Sequence, residues 1–106
     1  MSVIDVDKID GAGLVSKGNG IALLISDHLN WENEYQHLMT LQDKINNYIA
    51  FCESRQYQKI YPEQCIKFAI IEIHFMYEPT HKCIDFLKQV QNQVQKLGIK
   101  IDCYVE

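Results

Sequence analysis

The chain has 106 residues, 47% of them hydrophobic and 23% charged, with a formal net charge of −4. That length suits one domain, residues 1–106, and the composition is that of a folded chain rather than a disordered one. The acidic balance disfavours a phosphate-backbone partner, so no nucleic acid is expected, and no run approaches the ~18 apolar residues of a membrane span.

Met1-Ser2-Val3-Ile4-Asp5 lacks a basic stretch followed by an apolar core, so no secretory signal is expected. Cys52, Cys65, Cys83 and Cys103 are widely spaced and none forms Cys-x-x-Cys. This pattern predicts reduced thiols in a cytoplasmic setting, serving mainly as small apolar side chains. Arg55 is the only arginine, which leaves little for bidentate recognition of phosphate or carboxylate.

Residues 1–8 read as an arm or short turn. Ile9 to Val15 reads as a weak strand, interrupted by Gly11 and Gly13. The turn cluster Ser16-Lys17-Gly18-Asn19-Gly20 then predicts a hairpin into a second strand, Ile21 to Ser26. From Asn30 to about Ser54, Trp31, Tyr35, Leu38, Leu41, Ile45, Ile49 and Cys52 recur at helical spacing. Asn30 or Asp27 is the expected cap, with Glu32 and Glu34 in the first turn. Ser54 to Glu63 is a polar connection with Tyr57 and Tyr61 expected at the surface.

Cys65 to Met76 is the strongest strand pattern, with Ala69, Ile71, Ile73 and Phe75 on one side and Phe68, Ile70, Glu72 and His74 on the other. Thr80 is the expected cap of a second helix with the stripe Cys83, Leu87, Val90, Val94 and Leu97, stopped at Gly98. Ile99 to Val105 is a last alternating strand. The order β-β-α-β-α-β predicts an α+β fold, a four-stranded mixed sheet with two helices on one face. The reverse face would then show Phe68, Ile70, Glu72, His74, Lys100, Asp102 and Tyr104 to a partner or to water.

Ser26-Asp27-His28-Leu29-Asn30-Trp31, at the junction of the second strand and the first helix, is the densest polar and aromatic segment. Asp27 and His28 invite an acid–base reading with Ser26 as a hydroxyl, but adjacent residues usually point apart, and a capping role competes. Glu72 and His74 stand two residues apart on one strand face, as two metal ligands would. Cys65 with Glu72 and His74, or His81 with Cys83, are the conceivable sets, yet without a tight local cysteine pair no metal is expected. Gly11-x-Gly13 followed by Gly18 departs from the dinucleotide-binding pattern and precedes a hairpin, so no cofactor is expected. Cys83 is the cysteine nearest a helix start, and its place on the apolar stripe predicts burial.

Ile9-Asp10 with the glycines that follow, Ser26-Asp27-His28-Leu29-Asn30-Trp31, Leu41-Gln42-Asp43-Lys44-Ile45-Asn46 and Tyr48-Ile49-Ala50-Phe51 together resemble a family of small bacterial proteins of unknown function. The most specific part is the Ser-Asp-His-Leu-x-Trp segment, and the likeness extends over nearly the whole chain. It carries over no activity. In size and acidity the chain is also similar in style to the immunity proteins of toxin–immunity systems. The resulting expectation is a non-enzymatic protein-binding module, an immunity protein that blocks a basic toxin domain by contact. Asp27, His28 and Glu32 at the junction, with Glu72, His74, Asp102 and Tyr104 on the reverse sheet face, are the contact candidates. A small hydrolase using Asp27 and His28, or a homodimer formed through the bare sheet face, are the alternatives.

Overall fold

A computed structural model describes residues 3–5, 8–16 and 19–106. Met1, Ser2, Val6 and Asp7 of the expected arm, and Lys17 and Gly18 of the expected turn, lie outside the described residues. The elements are β1 (Gly11–Val15), β2 (Gly20–Asp27), α1 (Glu34–Glu53), β3 (Phe68–Phe75), α2 (His81–Val94) and β4 (Ile99–Val105). They form one mixed sheet in the order β1-β2-β3-β4, as the α+β reading expects. β1 pairs antiparallel with β2, while β2, β3 and β4 run parallel. Parallel neighbours need a crossover, and α1 and α2 supply the two.

The register explains which face is covered. Ile21, Leu23 and Ile25 stand beside Ala69, Ile71 and Ile73, and Ala69 and Ile71 stand beside Ile99 and Ile101. Of these, all but the half-buried Ile101 are buried. Both crossovers step in the same direction along the sheet, so right-handed connections place both helices on this side. Leu41, Ile45, Tyr48 and Phe51 of α1 and Cys83, Leu87 and Val94 of α2 complete the core. Each large apolar side chain removed from water here contributes about 1.5–3 kcal/mol before the cost of ordering.

Several local expectations are corrected. α1 starts at Glu34, and its cap is Asn33, whose side chain accepts from the Gln36 N–H at 3.2 Å. Asn30 and Asp27 instead accept from the N–H groups of Glu32 and Leu29, closing two tight turns ahead of the helix. Tyr35 is 74% exposed, not on the inner stripe. The buried stripe is His37, Leu41, Lys44, Ile45, Tyr48 and Phe51, so polar side chains occupy core positions. Tyr57 and Tyr61 pack against the core rather than standing free. Leu97 is exposed because the last turn of its helical run tightens into a 3-10 turn, Gln95–Leu97. Thr80 caps α2 by accepting from the Cys83 N–H, and Gly98 adopts the left-handed φ of 76° expected of a helix stop.

Of the expected arm, Val3 lies on the helix side. Val3 is fully buried in the core, and its N–H donates to the carbonyl of Ser26, beyond the end of β1. The reverse face of the sheet is left uncovered among the described residues. No described helix is long and apolar enough to cross a membrane.

Candidate functional site

The uncovered face is built by the side chains that alternate away from the core. Register sets Gly11 beside Leu24 and Gly13 beside Ala22, so β1 presents almost no side chain here. A groove of about 470 Å³ results, floored by Gly11, Gly13, Ala22 and Ser26 and bordered by Glu72, His74 and Glu106. Gly13, where an added Cβ would meet nothing within 4 Å, is what hollows this surface, while the Leu24 side chain lies against Gly11.

Across β3 and β4 the face turns polar. Glu72 is the register partner of Asp102, and His74 that of Tyr104. The His74 and Tyr104 rings stack with centroids 4.9 Å apart, and His74 Nε2 lies 3.4 Å from Glu72 Oε1. Lys100 Nζ lies 3.6 Å from Asp102 Oδ1. Two carboxylates directly opposite each other disfavour the sheet unless a positive charge offsets them. Four of the expected contact residues, Glu72, His74, Asp102 and Tyr104, therefore meet on one surface. Among the described residues no three of His, Cys, Asp and Glu are grouped to hold a metal ion.

The strand-to-helix junction behaves differently. Asp27 is only 1% exposed and points to the helix side. Its Oδ2 lies 2.6 Å from His37 Nε2, and its Oδ1 accepts from the Leu29 N–H at 3.1 Å. His37 Nδ1 faces the carbonyl of Asn30 at 3.0 Å. A carbonyl only accepts, so His37 Nδ1 is the donor there, and Nε2 is left to face the carboxylate. Trp31 covers the pair, its ring stacked on His37 with centroids 3.6 Å apart, and its Nε1 lies 3.4 Å from the carbonyl of Tyr77. Both ring nitrogens of His37 and both oxygens of Asp27 are thus engaged by the protein itself. His28 and Glu32 stand exposed beside a shallow hollow of about 410 Å³. The structure does not join Asp27 to His28, and it withdraws Asp27 from any partner's reach.

A second buried polar cluster holds Asp5 and Lys8 against α1. Lys44 Nζ donates to the carbonyls of Asp5 and Lys8, each at 2.6 Å, and lies 2.9 Å from Asp10 Oδ1. Asp10 Oδ2 accepts from the Ser26 N–H at 2.9 Å, just ahead of the start of β1. Tyr48 Oη accepts from the Asp10 N–H and donates to the carbonyl of Leu24. Burial pushes the Tyr48 hydroxyl well above its ordinary range, and Asp10 adds to that, although the Asp10 N–H bond opposes it. Cys83 is buried as expected, and burial first, then Cys103, Asp27 and Glu34, push its thiol up to about 12. Fully buried, that thiol is out of reach of a solute.

A family model, DUF6572, a family of unknown function, matches residues 1–106. The chain belongs to this family. Searches of the curated proteins and of the solved structures found no match.

The sequence reading missed His37, Lys44 and Asp10. The signal was present: positions 37, 41, 44, 48 and 51 keep a helical period, but a polar residue at such a position reads as surface until its buried partner is known.

Proposed function

We propose that this DUF6572 chain is a non-enzymatic protein-binding module whose uncovered sheet face docks a basic protein, as an immunity protein docks the toxin that it neutralises. The observation that carries the reading is the in-register pair of carboxylates Glu72 and Asp102, flanked by His74 and Lys100, on a face left uncovered among the described residues. A cation from a partner is the natural complement of that pair. The groove floored by Gly11, Gly13 and Ala22 admits a side chain beside it, and the Tyr104–His74 stack gives a flat aromatic surface at its border. The net charge of −4 speeds encounter with a basic partner. Asp27 supports the fold and takes no part in contact, and a cytoplasmic setting remains part of the proposal.

Co-expression with the product of the adjacent reading frame tests this. The expected result is relief of that product's toxicity and salt-sensitive binding. Glu72→Lys or Asp102→Lys each weakens binding about tenfold. A chain that neither binds nor relieves toxicity overturns the reading, as does binding indifferent to both reversals.

A further inference from the structure

We propose that the outer edge of β4 pairs antiparallel with the same edge of a second copy, joining two sheets into one of eight strands. β4 is the last strand of the sheet, so one side of its backbone lacks a strand neighbour. Gly98 O and Glu106 N bond to β3, so the even-numbered residues turn their peptide groups inward. Ile99, Ile101, Cys103 and Val105 turn theirs outward. The Gln91 side chain from α2 occupies two of these outward groups, donating to Ile99 O at 3.1 Å and accepting from Ile101 N at 2.7 Å. Among the described residues nothing meets Ile101 O or the peptide groups of Cys103 and Val105 on this side.

Exposed strand edges are usually blunted by lysine, proline or a bulge. Between Ile101 and Val105 none is present, and Cys103, Tyr104 and Val105 are all exposed. Val105 is 53% exposed beside a hollow that Ile84, Pro79 and Cys103 also line.

The sequence of this edge is complementary to itself. A two-fold axis at Cys103 sets Ile101 opposite Val105 of the second copy, Asp102 opposite Tyr104, and Lys100 opposite Glu106. Apolar meets apolar on the helix side, and opposite charges meet at both ends of the open face. Cys103 then exchanges both of its backbone bonds with its own counterpart. Ile101 O accepts from Val105 N of the second copy, and the symmetric bond forms in return. The ladder closes where Gln91 begins, so the cap and the pairing share the edge without conflict. Glu106 also borders the groove, and Asp102 and Tyr104 also belong to the open contact face, but the pairing is made by the outward backbone of β4 and does not rest on the proposed function.

Sedimentation equilibrium of the full chain at tens of micromolar tests the pairing. A dimer is expected. Cys103→Pro removes the central donor on the outward side, where proline is tolerated, and abolishes the dimer. Lys100→Glu and Glu106→Lys each place like charges opposite one another at two points and raise the dissociation constant about tenfold, and the double exchange restores it. Should Cys103→Pro fail to fold by circular dichroism, the charge exchange still decides. Glu72→Lys lies outside the pairing and leaves the dimer unchanged. A monomer at these concentrations overturns the proposal. So does a dimer insensitive to the two single reversals, one not restored by the double exchange, or one lost in Glu72→Lys.

Discussion

His37 Nε2 meets Asp27 Oδ2 at 2.6 Å in the interior, tying the start of α1 to the last residue of β2. With both side chains at 2% exposure or less, removing one leaves the other buried without its partner. His37→Ala is expected to cost about 3 kcal/mol in urea denaturation. Replacing both residues by leucine should recover only part of that loss: neither apolar side chain demands a partner, but the Leu29 N–H and the Asn30 carbonyl lose theirs. A double variant as unstable as the sum of the two singles would show that the bond does not couple them.

Lys44 anchors the arm through two carbonyls and one carboxylate. Lys44→Met keeps much of the volume and strands all three acceptors. A loss of about 3 kcal/mol is expected, with the Ser26 amide losing its protection from hydrogen exchange before the amides of β3 do. Equal loss of protection in both strands would assign Lys44 to the global core instead.

Gly98 holds φ at 76°, and an added Cβ would approach the carbonyl of Lys67 to 3.3 Å. Gly98→Ala is expected to cost about 1 kcal/mol, through the left-handed backbone as much as through the contact. The thermal midpoint is the measurement, and an unchanged midpoint would mean that the turn relaxes freely.

Alkaline pH should destabilise the protein. Burial holds the Cys83 thiol up at about 12, above its ordinary value of 9.0. A raised native value means that the stability linked to the protonated thiol is complete below pH 9.0 and is lost as pH climbs from there toward 12. Tyr48 is raised as well and acts in the same direction at higher pH. Urea midpoints should therefore fall between about pH 9 and pH 12, and fall less steeply in Cys83→Ala. A midpoint that rose over this interval would contradict the sign.

The amino-acid sequence determined the element order, the α+β class and the inner faces of the strands. Those features are local: alternation in Phe68–Phe75, the turn residues before Gly20, Thr80 at one helix start and Gly98 at one helix end each act within a few residues. It also placed Glu72, His74, Asp102 and Tyr104 on the reverse face, because strand parity needs no knowledge of partners. Only the tertiary structure decided that Asp27 belongs to His37, and Asp10 to Lys44 and Tyr48. Those residues lie 10 to 38 positions apart, and a polar side chain becomes a core residue only when folding brings a partner to meet its charge or proton. The hollow over Gly11 and Gly13 and the free outer edge of β4 likewise arise from which strands become neighbours and which remain last, and that is fixed by the two crossovers rather than by any segment alone.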